Sequence, residues 1–172
     1  MYTLAEPLAL RVVGPDDQVF LDALYASSRA DLLPIGTDAG FVDQLIRMQQ
    51  RIQTMGFAQN YPDAQHWIVL KHDKAIGRLV VDASSTDVRL VDIVMLPEAQ
   101  GGGVGTALMQ AVQRFARERS LGMSLAVLTS NTHARNLYAR CGFVVHRSDA
   151  LFEHMLWRAD ASSPASAIQS AA

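Results

Sequence analysis

Cysteine occurs once in the 172 residues, at Cys141, so no disulfide can form within the chain, which suits a reducing compartment. The five histidines, at 66, 72, 133, 146 and 154, show neither an i, i+4 pair nor cysteine neighbours, so no metal site is expected. Neither sign of charge is in excess. The net charge is −2 with acidic and basic residues interleaved, which argues against a sequence-independent nucleic-acid binder and leaves only a local basic groove open. No apolar run approaches the ~20 residues that a membrane-spanning helix needs. Met1–Leu10 holds Glu6 and Pro7 and no basic start ahead of an apolar block, so no secretory leader is expected and a cytoplasmic location is.

What is present is a well-spread apolar content of 49%, enough for a folded core. The length suggests one domain, placed at 1–159, and the Ala/Ser-rich stretch 160–172 reads as a flexible tail. Leu8–Val13 is a strand ending at Gly14-Pro15. Asp16 or Asp17 then starts a helix carrying Phe20, Leu21, Leu24 and Tyr25, broken by Leu33-Pro34 and Gly36. A second helix is expected from about Ala39 to Met55, stopped by Gly56, with Phe41, Leu45, Met48 and Ile52 as its apolar face. The period then changes. Trp67–Leu70 and Ala75–Val81 form a hairpin around His72-Asp73-Lys74, and Val88–Leu96 is a third strand of this run. A helix over Gly105–Arg119, a strand at Leu125–Leu128, a helix from Thr132 to Arg140 and strands at Phe143–His146 and Leu151–Trp157 complete the chain. The order β-α-α-β-β-β-α-β-α-β-β implies an α/β fold with a mixed sheet and helices on both faces.

The most informative stretch runs from Leu96 to Thr106, where four glycines fall within five residues between a strand and an amphipathic helix. Such a turn brings successive N–H groups toward a ligand, and the helix behind it adds unpaired amides and the positive end of its dipole. Together these bind phosphate without a charged side chain. A Walker loop is excluded because Gly105-Thr106 has no lysine, and a dinucleotide fingerprint because its third glycine would fall on Thr106 or Leu108.

Gln100, Gly103 and Gly105 match Gln/Arg-x-x-Gly-x-Gly/Ala, and Asn131, Ala134, Leu137, Tyr138, Gly142 and Phe143 match Asn-x-x-Ala-x-x-Leu-Tyr-x-x-x-Gly-Phe. In this order, about 30 residues apart, the two motifs resemble those of the GCN5-related N-acetyltransferase (GNAT) superfamily, most clearly from Trp67 to Trp157. The resemblance implies a mostly antiparallel sheet of six to seven strands, splayed in the middle around acetyl-coenzyme A. It implies that amides of Gln100, Gly101, Gly102, Gly103, Val104, Gly105 and Thr106 hold the pyrophosphate. The strand edge at Val94, Met95 and Leu96 would then pair with the pantetheine arm. A backbone N–H near Val94 or Met95 would stabilise the oxyanion of acyl transfer. Asn131 would cap its helix and also contact the arm. Tyr138, protonated at neutral pH, would serve as general acid toward the departing thiolate. Cys141 is assigned to packing.

This chain departs from the pattern in two ways. Arg or Lys is frequent at the first or third loop position in this superfamily, where Gln100 and Gly102 stand here, so binding would rest on amides and the dipole. The glutamate that some members carry five residues before the asparagine is Ala126. Asp92 is the first candidate for the base, directly or through water, or else a strand-end carboxylate bonded to its surroundings; Glu98 is a weaker candidate. The acceptor site is expected on the first two helices, at Tyr25, Arg29, Gln49, Gln53 and Tyr61, and its substrate is expected to be the amine of a small molecule or amino acid. The competing readings are a non-catalytic acyl-coenzyme A sensor or interaction module and an unrelated nucleotide-binding domain. Pairing of strand edges across a homodimer stays open.

Overall fold

The computed structural model describes residues 2–29 and 39–159. The expected break at Leu33-Pro34 and Gly36 and the expected tail at 160–172 lie outside the described residues. The elements are β1 (Leu8–Val12), α1 (Gln18–Ser28), α2 (Ala39–Asn60), β2 (Gln65–Lys71), β3 (Lys74–Ala83), β4 (Asp87–Met95), α3 (Val104–Arg117), β5 (Gly122–Leu128), α4 (Thr132–Arg140), β6 (Val144–Ser148) and β7 (Phe152–Trp157). The predicted order holds throughout.

The sheet has seven strands in the order β1-β2-β3-β4-β5-β7-β6. All neighbours are antiparallel except β4 and β5. The β2–β3 hairpin closes on His72 and Asp73, both at positive φ (48° and 61°), the combination that matches the right-handed twist of paired strands. Alternation then sorts the strands. Trp67, Val69, Leu79 and Val81 join the main core with Leu108, Met109 and Val112 of α3. The α1–α2 pair contacts the β3–β4 half of the sheet. α4 lies against α3, where Gln113 Nε2 donates to the carbonyl of Cys141 at 2.6 Å.

The β4–β5 ladder is short. It pairs Asp87–Leu90 with Gly122–Leu125 and stops. At that point Val91 is an extra residue against β3, since Val80 faces Asp92 while Val81 faces Leu90. Such a bulge bends a strand and increases its twist, and here it coincides with the end of pairing to β5. Ala126–Leu128 continue on β7 alone. The sheet is therefore splayed along the last five residues of β4, Val91–Met95.

α2 differs from expectation at its end and in its face. It runs through Gly56 to Asn60 and stops before Pro62, which cannot continue a helix. A side chain at Gly56 would meet nothing within 4 Å, so the glycine is an ordinary half-buried helical residue with open space beside it. Phe41, Met48 and Ile52, expected to face the core, are 56%, 52% and 59% exposed. The buried stripe is offset by one residue, with Val42 and Ile46 packed against Tyr25 and Leu45. Gln49 and Gln53 continue it, and each is satisfied by an arginine: Arg29 Nη1 donates to Gln49 Oε1 at 2.6 Å and Arg78 Nη2 to Gln53 Oε1 at 3.3 Å. Hydrogen-bonded glutamines can occupy a docking face that apolar periodicity would assign elsewhere.

Candidate active site

The site begins where β4 ends. Leu96 N donates to the carbonyl of Ile76 at 2.9 Å, then Pro97–Ala99 make one short helical turn. Gln100 turns its side chain back, and Nε2 donates to the carbonyl of Met95 at 3.0 Å. Gly101 and Gly103 take left-handed φ values of 76° and 78°, which side chains disfavour. A Cβ on either would meet nothing within 4 Å, so the turn presents open backbone. Gly103 is the N-cap of α3 without any side-chain cap, and the first helical bond runs from Ala107 N to Gly103 O. The amides of Val104, Gly105 and Thr106 thus have no intrahelical acceptor.

β4 supplies the next wall. In an antiparallel ladder the amides of alternate residues point to the same neighbour. Because Leu96 N–H goes to β3, that of Val94 does too, and those of Ile93 and Met95 face the unpaired edge. Of the two oxyanion donors expected at this strand, Met95 has the suitable orientation.

A cleft of about 650 Å³ joins these parts, lined by Ile93, Val94 and Met95 from β4 and by Gln100, Gly101, Gly103, Gly105 and Thr106 from the turn and α3. The fourth wall is α4, with Asn131, His133, Ala134, Leu137, Tyr138 and Arg140, and the end of α1 adds Ser27 and Ser28. Asn131 caps α4, its Oδ1 accepting from Ala134 N at 3.0 Å. Leu96, Gly102 and Val104 lie outside the lining; the Val104 side chain is in the core, 4% exposed.

Tyr138 lines the cleft with its ring 6% exposed and tilted against Phe143. Burial pushes its phenol pKa up, and the nearby Asp92 carboxylate raises it further. The hydroxyl therefore keeps its proton across the neutral range. Asp92 itself lies outside the lining, paired with Arg78 at 2.5 Å. Burial raises its pKa, an effect that the Arg78 guanidinium opposes. Arg78 also reaches Gln53 and lies 5.8 Å from the Phe57 ring centroid, so the pair is fixed to α2. Glu98 is exposed and outside the cleft lining, between Pro97 and Ala99, which belong to it.

Of the expected acceptor residues, Tyr25, Arg29, Gln49, Gln53 and Tyr61, none lines the cleft. Tyr25, Gln49 and Gln53 join α1, α2 and the sheet instead. Sequence reasoning missed Ser27, Ser28, His133 and Arg140. The last two were readable as the helical neighbours of Leu137 at offsets of four and three. Cys141 is half-buried, packed against the core and outside the lining, and burial pushes its thiol pKa up. Among the described residues no group of three His, Cys, Asp or Glu could hold a metal ion, and no helix is long and apolar enough to cross a membrane.

Residues 30–143 match the model of the acetyltransferase (GNAT) family. The chain belongs to this family. The family fold recurs in the PaiA N-acetyltransferase of Thermoplasma acidophilum, solved in complex with coenzyme A. That structure superposes with a TM-score of 0.67 at 15% identity, over 88% of this chain and 98% of that one. The mycothiol acetyltransferase of Streptomyces griseus is 32% identical over 88 residues, 51% of this chain and 25% of that protein. The streptothricin acetyltransferase of Escherichia coli is 32% identical over 72 residues, 41% of each chain. The aligned part thus spans a quarter to two-fifths of these curated relatives.

Proposed function

We infer that residues 1–159 form one cytoplasmic acetyltransferase domain that moves an acetyl group from acetyl-coenzyme A to a primary amine of a small molecule or amino acid. The reading is carried by one observation: the uncapped first turn of α3, the unpaired edge of β4 and Tyr138 line a single cleft. Acetyl-coenzyme A, when bound, supplies the activated acetyl group. The amides of the glycine turn and of α3 suit its diphosphate. The outward C=O of Ile93 and the N–H of Met95 suit an extended amide-bearing arm, while the Ile93 N–H is taken up by the Asp92 carboxylate.

The Met95 amide is the group placed to stabilise negative charge on a carbonyl oxygen. Tyr138 Oη holds the proton needed by a departing thiolate. Direct transfer within a ternary complex is supported by Cys141, whose thiol is held protonated and lies outside the cleft lining. On the acceptor side, α1 ends at the cleft with Ser27 and Ser28, whose hydroxyls donate back to the carbonyls of Leu24 and Tyr25 and keep oxygen lone pairs to offer. A helix C-terminus favours positive charge, which suits an amine arriving as ammonium. Asp92 is the proposed proton sink, acting through water from beneath the β4 wall.

One observation favours a second reading. Among the described residues no carboxylate lines the cleft, and Asp92 is already paired, as befits a non-catalytic acyl-coenzyme A sensor. Free-thiol release from acetyl-coenzyme A across a panel of amines separates the two. Turnover on at least one amine is expected; tight coenzyme binding with no turnover on any would establish the sensor.

A further inference from the structure

β2, β3 and β4 each place one residue in a row across the sheet: His66 stands opposite Val80, and Val80 opposite Asp92. Directly opposed residues share a face, so His66 and Asp92 lie on the same side, two strand spacings or about 9.5 Å apart. The row begins on the part of β4 that has lost its partner β5 and ends on β2. Arg78, two residues from Val80, shares this face and bonds Asp92 through Nε at 3.0 Å and Nη2 at 2.5 Å. Both bonds end on Oδ2, which leaves Oδ1 clear of the guanidinium.

An acceptor that arrives as ammonium loses two protons on becoming an amide. One is balanced by the proton that the thiol gains, and the other must reach solvent. Asp92, with its side chain 15% exposed, exchanges protons poorly with bulk water. His66 is half-buried and keeps part of its ring in solvent. The two groups sense each other's charge. Burial raises the Asp92 pKa, whereas burial and the Arg78 guanidinium lower that of His66, so their proton affinities converge from opposite sides. Also on this face are Arg11 of β1, opposite Ile68 and tied to Asp17, and Asp82 of β3, opposite Arg89. From α2 the uncharged Gln53 reaches Arg78.

We propose that His66 is the proton relay behind Asp92: the carboxylate takes the acceptor's proton through a water on Oδ1, passes it by way of water to the imidazole, and His66 releases it to solvent. This relay presupposes the acetyl-transfer reading and deepens it. His66 lies outside the cleft lining and acts only through Asp92. Free-thiol release from acetyl-coenzyme A with the best amine of the panel, followed across pH, tests it. His66→Gln keeps a polar side chain that takes no proton. Its kcat at pH 7 should fall about tenfold, less than for a group touching the reacting atoms, with KM for acetyl-coenzyme A unchanged. The wild type should lose rate on acidification below the ordinary imidazole pKa of about 6.5, as the lowered His66 pKa is passed and the ring charges, and His66→Gln should move that limb. In His66→Ala, added imidazole should restore most of the rate while leaving the wild type unaffected. Wild-type kcat and pH profile in His66→Gln would overturn the relay. So would a loss that imidazole does not restore with the acid limb unmoved, which marks a structural role. If the unaltered chain turns over no amine, the transfer reading falls and the relay with it; turnover untouched by His66→Gln sinks the relay alone.

Discussion

Arg78 on β3 and Asp92 on β4 meet at 2.5 Å with side chains only 11% and 15% exposed, directly beneath α2. Two charges withdrawn from water in this way depend on each other. Arg78→Met leaves the carboxylate uncompensated and should cost about 3–5 kcal/mol in urea denaturation. Pairing it with Asp92→Leu should restore most of that loss. An unchanged denaturation midpoint in the single variant would refute the buried pair.

Tyr138→Phe removes one oxygen atom and little packing. We expect kcat to fall about 100-fold, in the range of general acid catalysis, while KM for acetyl-coenzyme A and the melting temperature hardly change. Because burial and Asp92 raise the phenol pKa, any alkaline loss of rate due to Tyr138 should lie above the ordinary phenol value of about 10. A pH–rate profile on the best acceptor checks both; undiminished kcat removes Tyr138 from the mechanism.

Two glycines separate conformation from space. Gly103 sits at φ 78° with nothing near a prospective Cβ, so Gly103→Ala should destabilise by about 1–2 kcal/mol through backbone strain and loosen coenzyme binding. Gly77 has no such φ, but a Cβ there would lie 2.5 Å from the carbonyl oxygen of Val94, a backbone atom that cannot turn aside. Gly77→Ala should therefore push β4 away from β3 and lower the melting temperature more than Gly103→Ala does. The reverse ranking would contradict the close approach of these strands.

Asp17, 8% exposed, is held by Arg11 at 2.7 Å and by the amide of Gly14, and its pKa falls to about 2. A carboxylate depressed in the folded state contributes stability above its unfolded pKa of about 3.9, and that contribution is lost as pH falls from there toward 2. Unfolding free energies of the wild type and Asp17→Asn should differ by a constant amount above about pH 5 and converge below pH 4. Comparison with the variant isolates Asp17 from Asp149, whose backbone hydrogen bonds also lower its pKa. A gap undiminished at pH 2 would exclude this linkage.

How far the sequence could be read depended on whether the deciding partner was local. α4 was legible to the residue, because Asn131 caps it and Gly142, at φ 84°, ends it within the same short stretch. The glycine turn and Tyr138 were legible for the same reason. α2 was not: its two candidate stripes differ by one residue, and the docked one turns polar after Val42 and Ile46, where Arg29 and Arg78, distant in sequence, satisfy Gln49 and Gln53. Ser27 and Ser28 enter the cleft only through the packing of α1 on the sheet, which no local spacing encodes. His133 and Arg140 share a helical period with Leu137, a stripe adjacent to the one that carries the motif positions Asn131 and Tyr138.

The interrupted ladder between β4 and β5 leaves the sheet as two rafts moored by four residue pairs, Asp87–Leu90 with Gly122–Leu125. A guest that hydrogen-bonds to the β4 edge at Ile93 and Met95 acts as a missing plank, tying one raft more firmly to the other. Occupancy should then be felt far from the cleft, as slower amide hydrogen exchange along β5 and β7, so that the catalyst would be most rigid when loaded and loosest between turnovers.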